Sequence, residues 1–513
     1  MDIRDWIATH ANRTPTALAQ IDHATNRHFT YAEMHERVAR IGGYLRNEAK
    51  VSIGDVVAVL GDNSSETLDV DFACARIGAI FLPLNTRLTP IEIAFQLSDA
   101  HPKALFVGPG YEAVAKDAIA ASDVDIQLLS FGGADGNICL KDISTTGTPL
   151  FEVEPRAPED GWTLIYSSGT TGRPKGVLHS HAGVLMQAIG NCVPLGLNPQ
   201  SRGLTVLPYF HISGLNIFAH AMFYAGGCQL TMERFDPAEM LRVLSNPEFA
   251  ITHFCGVPTM FEMMAQRPEF LTSDLNSVEG AFVGGAPSTE ALLKTYTAKN
   301  MPLIQGYGLT ESGPTVTVLD AADAVKKLGS AGKPIMHVDV KVARDDGAEA
   351  SAGEEGEIII RGPSVITEYF RRPDAQRTDF IDGWLKTGDI GRFDDDGFLF
   401  IVDRKKDMFI SGGENVYPAE VENCIAEIEG VAQVAVIGVP DEKWGEVGVA
   451  CIVKRPDADL DKEGIIALCE GKLARYKLPK HVRFFDALPM GGSGKVLKSK
   501  LREFFSLNVN SVY

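Results

Sequence analysis

The chain is 513 residues long, with 45% hydrophobic and 22% charged residues and a formal net charge of −19. That length exceeds what one hydrophobic core serves, so more than one domain is expected, and the composition is that of a globular chain rather than a disordered one. The acidic balance, without any long Lys/Arg run, argues against nucleic-acid binding and against attachment to anionic lipid. The eight cysteines (Cys74, Cys139, Cys192, Cys228, Cys255, Cys424, Cys451, Cys469) include no Cys-x-x-Cys pair and no zinc-type histidine partner. They read as buried thiols of a reducing compartment. No run approaches the ~20 apolar residues of a membrane helix. The opening MDIRDWIATHANRTP alternates apolar and charged residues like a surface helix, unlike a signal peptide. A soluble, cytoplasmic protein is the expectation.

In chain order, helical patterns alternate with short apolar runs from Tyr31 to about Val107, among them Val56-Val57-Ala58-Val59-Leu60 and Ala104-Leu105-Phe106-Val107. This predicts α/β layering with parallel strands. Similar units recur at Leu204–Leu207, Ala250–Phe254, Gly280–Val283 and Leu303–Gln305. After about Gly329 the segments become short and strand-like, as in Gly356–Arg361 and Phe398–Val402. The Asp-Gly step of Asp394-Asp395-Asp396-Gly397 suits a tight hairpin between them. The charged run Asp403-Arg404-Lys405-Lys406-Asp407 breaks this stretch from a final α/β unit, where Pro418–Ile428 is predicted helical and Val431–Val439 a strand. The expected fold class is α/β: a large N-terminal α/β domain with a β-rich subdomain at about 329–402, then a small α/β C-terminal domain.

The stretch Tyr166-Ser167-Ser168-Gly169-Thr170-Thr171-Gly172-Arg173-Pro174-Lys175-Gly176 follows the strand-like Trp162–Tyr166 and precedes Val177–His179, so it reads as a tight loop between strands. Pro174 pushes Arg173 toward an extended conformation, and the Gly-Lys-Ser/Thr ending is absent, which separates this loop from the helix-opening Walker type. Three glycines exposing N–H groups, four hydroxyls and Lys175 suit nucleotide phosphates, although an ordinary Gly/Ser/Thr-rich surface loop has the same composition. In Gln305–Ser312 a strand runs into a glycine-rich turn, and Glu311 offers a hard oxygen ligand suited to Mg²⁺ with the Thr310 hydroxyl beside it. By itself, a glutamate at a strand end is more often merely solvated. Gly284 and Gly285 permit close backbone approach, or a simple turn. His211 lies in an apolar segment, where a lone histidine is more often a core residue. Lys495 sits in the glycine-rich Gly491–Lys495 loop, which can carry an ammonium to a distant site.

The string YSSGTTGRPKG resembles the signature of the adenylate-forming superfamily, which comprises acyl-CoA synthetases, firefly-type luciferases and nonribosomal adenylation domains. Further motifs follow in that family's order over nearly the whole chain: LPYFHISGL (Leu207–Leu215), VGGAP (Val283–Pro287), QGYGLTES (Gln305–Ser312), TGD (Thr387–Asp389), DRKKD (Asp403–Asp407) and SGK (Ser493–Lys495). The segments GENVYPAEVE, VPDEKWGE and ARYKLPK resemble CoA ligases of fatty and aryl acids, the 4-coumarate-like ligases among them, more closely than peptide-synthetase domains. One departure is Met490-Gly491-Gly492, which stands where polar residues such as Arg-Thr are common before Ser-Gly-Lys.

The resemblance implies an AMP-binding domain over 1–402, a hinge at 403–407 pivoting on Lys406, and a mobile domain over 408–513. It implies ATP, Mg²⁺ and coenzyme A as cofactors, and a two-step acid:CoA ligase that forms an acyl adenylate and then a thioester. Thr170, Thr171, Gly172 and Lys175 would hold the phosphates, with Glu311 and Thr170 on the metal. Gly285, Ala286, Pro287, Gln305, Tyr307 and Gly308 would bind the nucleotide, with Tyr307 on adenine and Asp389 and Arg404 on the ribose or phosphate side. His211, Gly284 and Gly306 would line the acyl pocket. Lys495 would act with Glu311, Thr310 and His211 in adenylation, and Ser411, Gly412 and Gly413 would line the CoA tunnel. The pocket segments hold no evident Arg or Lys for a second carboxylate, so a medium- or long-chain fatty or aryl monocarboxylic acid is the expected small-molecule partner. Neither nucleic acid nor an integral membrane is expected, and a homodimer stays open. A stand-alone adenylation enzyme loading a carrier protein, a luciferase-like oxygenase and a non-catalytic nucleotide-binding module remain as alternatives. The intact set of Lys175, Glu311, Asp389 and Lys495 counts against the last.

Overall fold

The computed structural model describes residues 5–132, 138–167, 174–285, 288–344, 346–372, 379–404, 408–416, 418–456, 458–489, 496 and 498–507. The run Val56–Leu60 becomes the middle of a six-stranded sheet. It pairs in parallel with Ile80–Pro83 and Ala104–Val107; Gln127–Ser130 and Gly161–Ser167 extend the parallel set, and Lys175–Ser180 closes one edge antiparallel. The run is apolar throughout because both faces are covered. Val57 and Val59 pack beneath the helices Tyr31–Asn47 and Ser65–Ile77, while Val56, Ala58 and Leu60 pack beneath Pro90–Ala100 and Glu112–Ala121. Two of these helices start on a Thr-x-x-Glu capping box, Thr30 with Glu33 and Thr89 with Glu92, and Pro90 adds a preset first turn to the latter.

A second, larger sheet changes character along its width. Leu18–Asp22, Cys228–Thr231, Arg202–Thr205, His253–Gly256, Gly280–Gly284 and Leu303–Gly308 run parallel in that spatial order. Beyond Leu303–Gly308 every pairing is antiparallel, through Thr315–Leu319, Ser330–Pro334, Leu399–Arg404, Trp384–Phe393, Gly356–Arg361 and Asp339–Ala343. The β-rich segment after Gly329 thus continues the large sheet. The strand predicted from Ala250 begins only at His253, since Ala250 has a left-handed φ of +47° that no strand contains. Asp394–Gly397 makes the expected tight turn, with Gly397 at φ +77° and the Asp394 amide donating to Phe398 O at 2.9 Å. The following strand keeps its pairing through Asp403 and Arg404, two residues into the charged run.

The smaller C-terminal domain is a five-stranded sheet built on the long hairpin Val431–Asp441 and Gly445–Lys454. Val436, Ala450 and Ile452 pack on Val421 and Ile425 of the helix Pro418–Ala426. The opposite face, Ala435, Ile437, Val449 and Cys451, is covered by Leu501 and Phe505. All eight cysteines are free thiols, and all but Cys192 are buried. No helix among the described residues is long and apolar enough to cross a membrane.

Beneath the six-stranded sheet lies a polar knot. The buried Asp71 carboxylate accepts a hydrogen bond from Trp162 Nε1 at 2.9 Å and pairs with His220 Nε2 at 2.6 Å. His181 stacks on Trp162 with ring centres 5.2 Å apart, and both ring nitrogens of His179 and of His181 lack a hydrogen-bond partner. Burial pushes both of these histidines down to about 3, with His220 next in effect on His179 and Arg156 on His181. They are neutral in the native chain, whereas unfolded histidines take up protons near pH 6.5. Below that pH the unfolded state binds protons that the native state refuses, so each histidine costs about 1.4 kcal/mol per pH unit as pH falls from 6.5 toward 3. Asp69, pushed up to about 6 by burial, acts in the opposite sense over part of this range. A His179→Leu variant retains Asp69, so between pH 7.5 and 5.5 it should lose about 1.4 kcal/mol less stability than the parent in urea denaturation. Parallel pH slopes for the two proteins would mean that His179 takes up its proton in the fold as readily as in the unfolded chain.

Candidate active site

The ends of Gly161–Ser167 and Leu303–Gly308, one strand from each sheet, meet at one edge of the large domain, where the turn Thr310–Ser312 carries Glu311. Ser167, the last residue of its strand in the other sheet, donates through Oγ to Glu311 Oε1 at 3.1 Å. Tyr369 donates to the same oxygen at 3.4 Å, and the Glu311 carbonyl accepts from the Ile366 amide at 3.0 Å. Lys175, directly opposite Ser167 in the pairing, lies over the Tyr369 ring at 4.5 Å and reaches Asp379 Oδ2 at 3.0 Å. Tyr369 thus separates a lysine from a glutamate that would otherwise be free to pair. Burial raises its phenol, and the Glu311 charge raises it further, so it stays a neutral donor. Its position comes from long-range backbone pairing: Val177 bridges Tyr369, and the Phe370 amide donates to Gly176 O at 2.8 Å.

On the large sheet the register sets Gly284 beside Gly306, with Gly285 at φ +84° just beyond. The ring of Phe282 lies along this glycine row. A Cβ on Gly306 would meet Phe282 Cζ at 2.1 Å, closer than any real contact. Tyr307, one residue on, donates its hydroxyl to Asp389 Oδ2 at 2.7 Å, joining two candidate nucleotide residues 82 positions apart. Asp389 and Arg404 are register partners on adjacent strands.

His211 precedes a π-helical turn, Ser213–Ala219, and its Nδ1 contacts Ser213 Oγ at 2.7 Å. Desolvation lowers its pKa; Glu414 offsets part of this and Arg87 adds to it, which leaves the ring neutral at physiological pH. Glu414 belongs to the small domain and forms an ion pair with Arg87 of the large domain, whose guanidinium lies 6.0 Å from the Phe210 ring centre. Ser411 and Glu414 are register partners across a two-residue Gly412-Gly413 turn, both glycines with positive φ. A Cβ on Gly412 would meet Trp444 at 2.9 Å, and Gly413 faces Val257 of the large domain. Both domains therefore contribute to one cleft.

Sequence profiles decide the relationship. The AMP-binding enzyme family matches residues 7–370, and the AMP-binding enzyme C-terminal domain matches 420–495. The chain belongs to the AMP-binding enzyme family. This AMP-binding enzyme is 38% identical over 499 residues to a long-chain-fatty-acid–CoA ligase of Mycobacterium tuberculosis, covering 97% of both chains. It is 39% identical over 501 residues to a feruloyl-CoA synthase of an Amycolatopsis species, covering 98% of both. Among solved structures, a double mutant of o-succinylbenzoate CoA synthetase from Bacillus subtilis bound to a CoA product analogue matches with a TM-score of 0.86 at 32% identity, covering 97% of this chain and 98% of that one. The same synthetase in complex with its acyl-adenylate intermediate covers the same shares at 32% identity, but with a TM-score of 0.70. The overall arrangement of the AMP-binding enzyme described here is thus nearer to the CoA product complex.

Of the residues expected from sequence, Gly284, Gly285, Gln305, Gly306, Tyr307, Gly308, Thr310, Glu311, Lys175 and Asp389 are joined by these strands and contacts, His211 lies by the Arg87–Glu414 pair, and Gly413, on one hairpin with Ser411 and Gly412, approaches the large domain at Val257. Thr170, Thr171, Gly172, Ala286, Pro287, Lys406 and Lys495 lie outside the described residues, as does the Arg404 side chain. Sequence reasoning missed Tyr369, Asp379 and Arg87, for which no local motif gives a signal. AMP-forming CoA ligases use ATP, Mg²⁺ and CoA, and the hard carboxylate oxygens of Glu311, with the Ser167 and Tyr369 hydroxyls at Oε1, suit a magnesium nucleotide. Among the described residues no three His, Cys, Asp or Glu side chains cluster. Because Phe282 occupies the space over Gly306, a Gly306→Ala variant should lose about 1–3 kcal/mol of stability through overpacking, read by denaturant unfolding. Unchanged stability would mean that the Phe282 ring swings clear.

Proposed function

We propose that the chain joins a monocarboxylic acid, aryl or medium- to long-chain fatty, to the AMP portion of ATP and then passes the acyl group to the thiol of CoA. The observation carrying this reading is the Ser167–Glu311–Tyr369–Lys175 cluster, which sets one carboxylate and one ammonium a ring's width apart at the edge where both sheets end. In the first step a carboxylate oxygen of the acid attacks the α-phosphorus and pyrophosphate leaves. Lys175, with Thr170 and Thr171, holds phosphate oxygens after exchanging Asp379 for them. Glu311, with Thr170, is the metal-side carboxylate, and magnesium, when bound, neutralises phosphate charge. Tyr307 faces adenine while its hydroxyl steadies Asp389 for the ribose, with Arg404 opposite. Lys495 contacts the oxygens in transfer. No covalent enzyme nucleophile is required, so catalysis is positioning and charge stabilisation.

In the second step the CoA thiol attacks the acyl carbonyl and AMP leaves, after the small domain over 408–513 has turned about Lys406 and brought Ser411, Gly412 and Gly413 to the cleft. A neutral His211 and the Phe282 ring over the Gly284–Gly306 row support an apolar, flat acyl group over a second carboxylate. Eight free cysteines support a reducing, cytoplasmic setting.

The test is pyrophosphate release with MgATP over a panel of aryl, fatty and dicarboxylic acids, with and without CoA. Release that depends on an aryl or fatty acid, rises with CoA and yields a thioester is the expected result. Lys175→Ala and Glu311→Gln should each cut that release by about a hundredfold or more, as loss of a charge-stabilising group does. Release indifferent to CoA would instead point to transfer onto a carrier protein.

A further inference from the structure

The segment Leu473–Leu478 straddles two cores. Ala474 and Tyr476 pack with the cluster beneath the six-stranded sheet of the large domain, while Leu473 and Leu478 pack in the small domain's own cluster. Between them Lys477 has a side chain only 4% exposed, and its ammonium reaches Glu92 Oε1 at 2.9 Å and Glu420 Oε1 at 2.8 Å. Glu92 lies on the large-domain helix Pro90–Ala100 and Glu420 on the small-domain helix Pro418–Ala426. Both carboxylates are themselves nearly buried, at 11% exposure.

Neither carboxylate has an easy alternative. The other oxygen of Glu92 accepts from the Thr89 amide at 2.8 Å and the Thr89 hydroxyl at 2.9 Å, closing the capping box of its helix. The other oxygen of Glu420 is buried with no hydrogen-bond partner. Two carboxylates thus face each other across a single ammonium, out of water. Removing the ammonium leaves two buried carboxylates uncompensated, which is strongly destabilising, and removing the Glu92 charge leaves Lys477 paired within the small domain alone. Here the two sides belong to different domains, so the strain can be relieved by moving the small domain away and letting water in, without unfolding either one.

We propose that Lys477 is a positioning residue for thioester formation: its buried ion triad with Glu92 and Glu420 holds the small domain in the orientation that presents Gly412, Gly413 and Glu414 to the cleft. A rotation that carries Lys477 and Glu420 away from the helix Pro90–Ala100 breaks the Lys477–Glu92 contact, so the triad weights the second half-reaction over the first. The inference rests on the two-step reading above.

Two measurements on the full-length protein test it. Acid-dependent exchange of labelled pyrophosphate into ATP reads the first half-reaction, and single-turnover conversion of acyl adenylate to thioester on adding CoA reads the second. Lys477→Met should slow the second about tenfold or more and leave the first within about twofold, the loss expected when one partner of a buried ion pair is removed. Lys477→Arg should recover part of that loss. Glu92→Gln, in which glutamine can still serve the capping box, should give the same split from the other domain. Hydrogen exchange supplies a readout independent of activity: protection of the Leu473–Leu478 amides should fall about tenfold in Lys477→Met while that of Val431–Asp441 is unchanged. Equal losses in both half-reactions, no loss in either, or loosening of the whole small domain would overturn the proposal. A parent protein that catalyses neither half-reaction would sink the two-step reading, and the exchange data would still judge the triad.

Discussion

Pairing of Leu303–Gly308 in parallel with Gly280–Gly284 on one side and antiparallel with Thr315–Leu319 on the other is the constraint from which the cleft follows. Because the antiparallel partner is the next strand of the chain, a tight reversal joins the two, and that reversal is the turn carrying Glu311. Because a different sheet ends at Ser167 against the same turn, Glu311 becomes one of the points where the two halves of the large domain touch. Tyr369 completes the junction by donating to Glu311 while its ring carries Lys175. Charge separation across one aromatic ring is thus a product of sheet topology.

The elements most legible in sequence were those with a local physical cause. Apolar runs such as Val56–Leu60 announce strands covered on both faces, Pro418 announces a helix start, and Asp394–Gly397 announces a hairpin. Glu311, Tyr307 and Asp389 were legible because they sit in strings resembling a known family. Tyr369, Asp379 and Arg87 were not, since what brings each to the cleft is tertiary: Lys175 meets Asp379 across 204 positions, and Arg87 meets Glu414 across 327. The strand expected from Ala250 was misjudged because a left-handed residue interrupts an apolar run without any glycine to mark it.

The two domains share more than a surface. Arg87 and Glu414 bring opposite charges from opposite sides of the interface to the neighbourhood of a neutral His211, so the electrostatics of the large-domain pocket depend in part on where the small domain lies. Glu92 shows the same economy on a smaller scale, with one oxygen serving its own helix and the other the neighbouring domain.

The strand Lys175–Ser180 follows the Gly/Ser/Thr-rich segment as the return arm of a hairpin, so a strand and not a helix begins at Lys175. A loop that opens a helix offers an anion the fixed partial charge of aligned peptide dipoles, which cannot swing away. Here the positive charge on the return strand is one ammonium at the end of a flexible stem, already shared with Asp379. On the function proposed above, the hold of Lys175 on phosphate is therefore switchable: salt can screen the ammonium, and Asp379 can reclaim it.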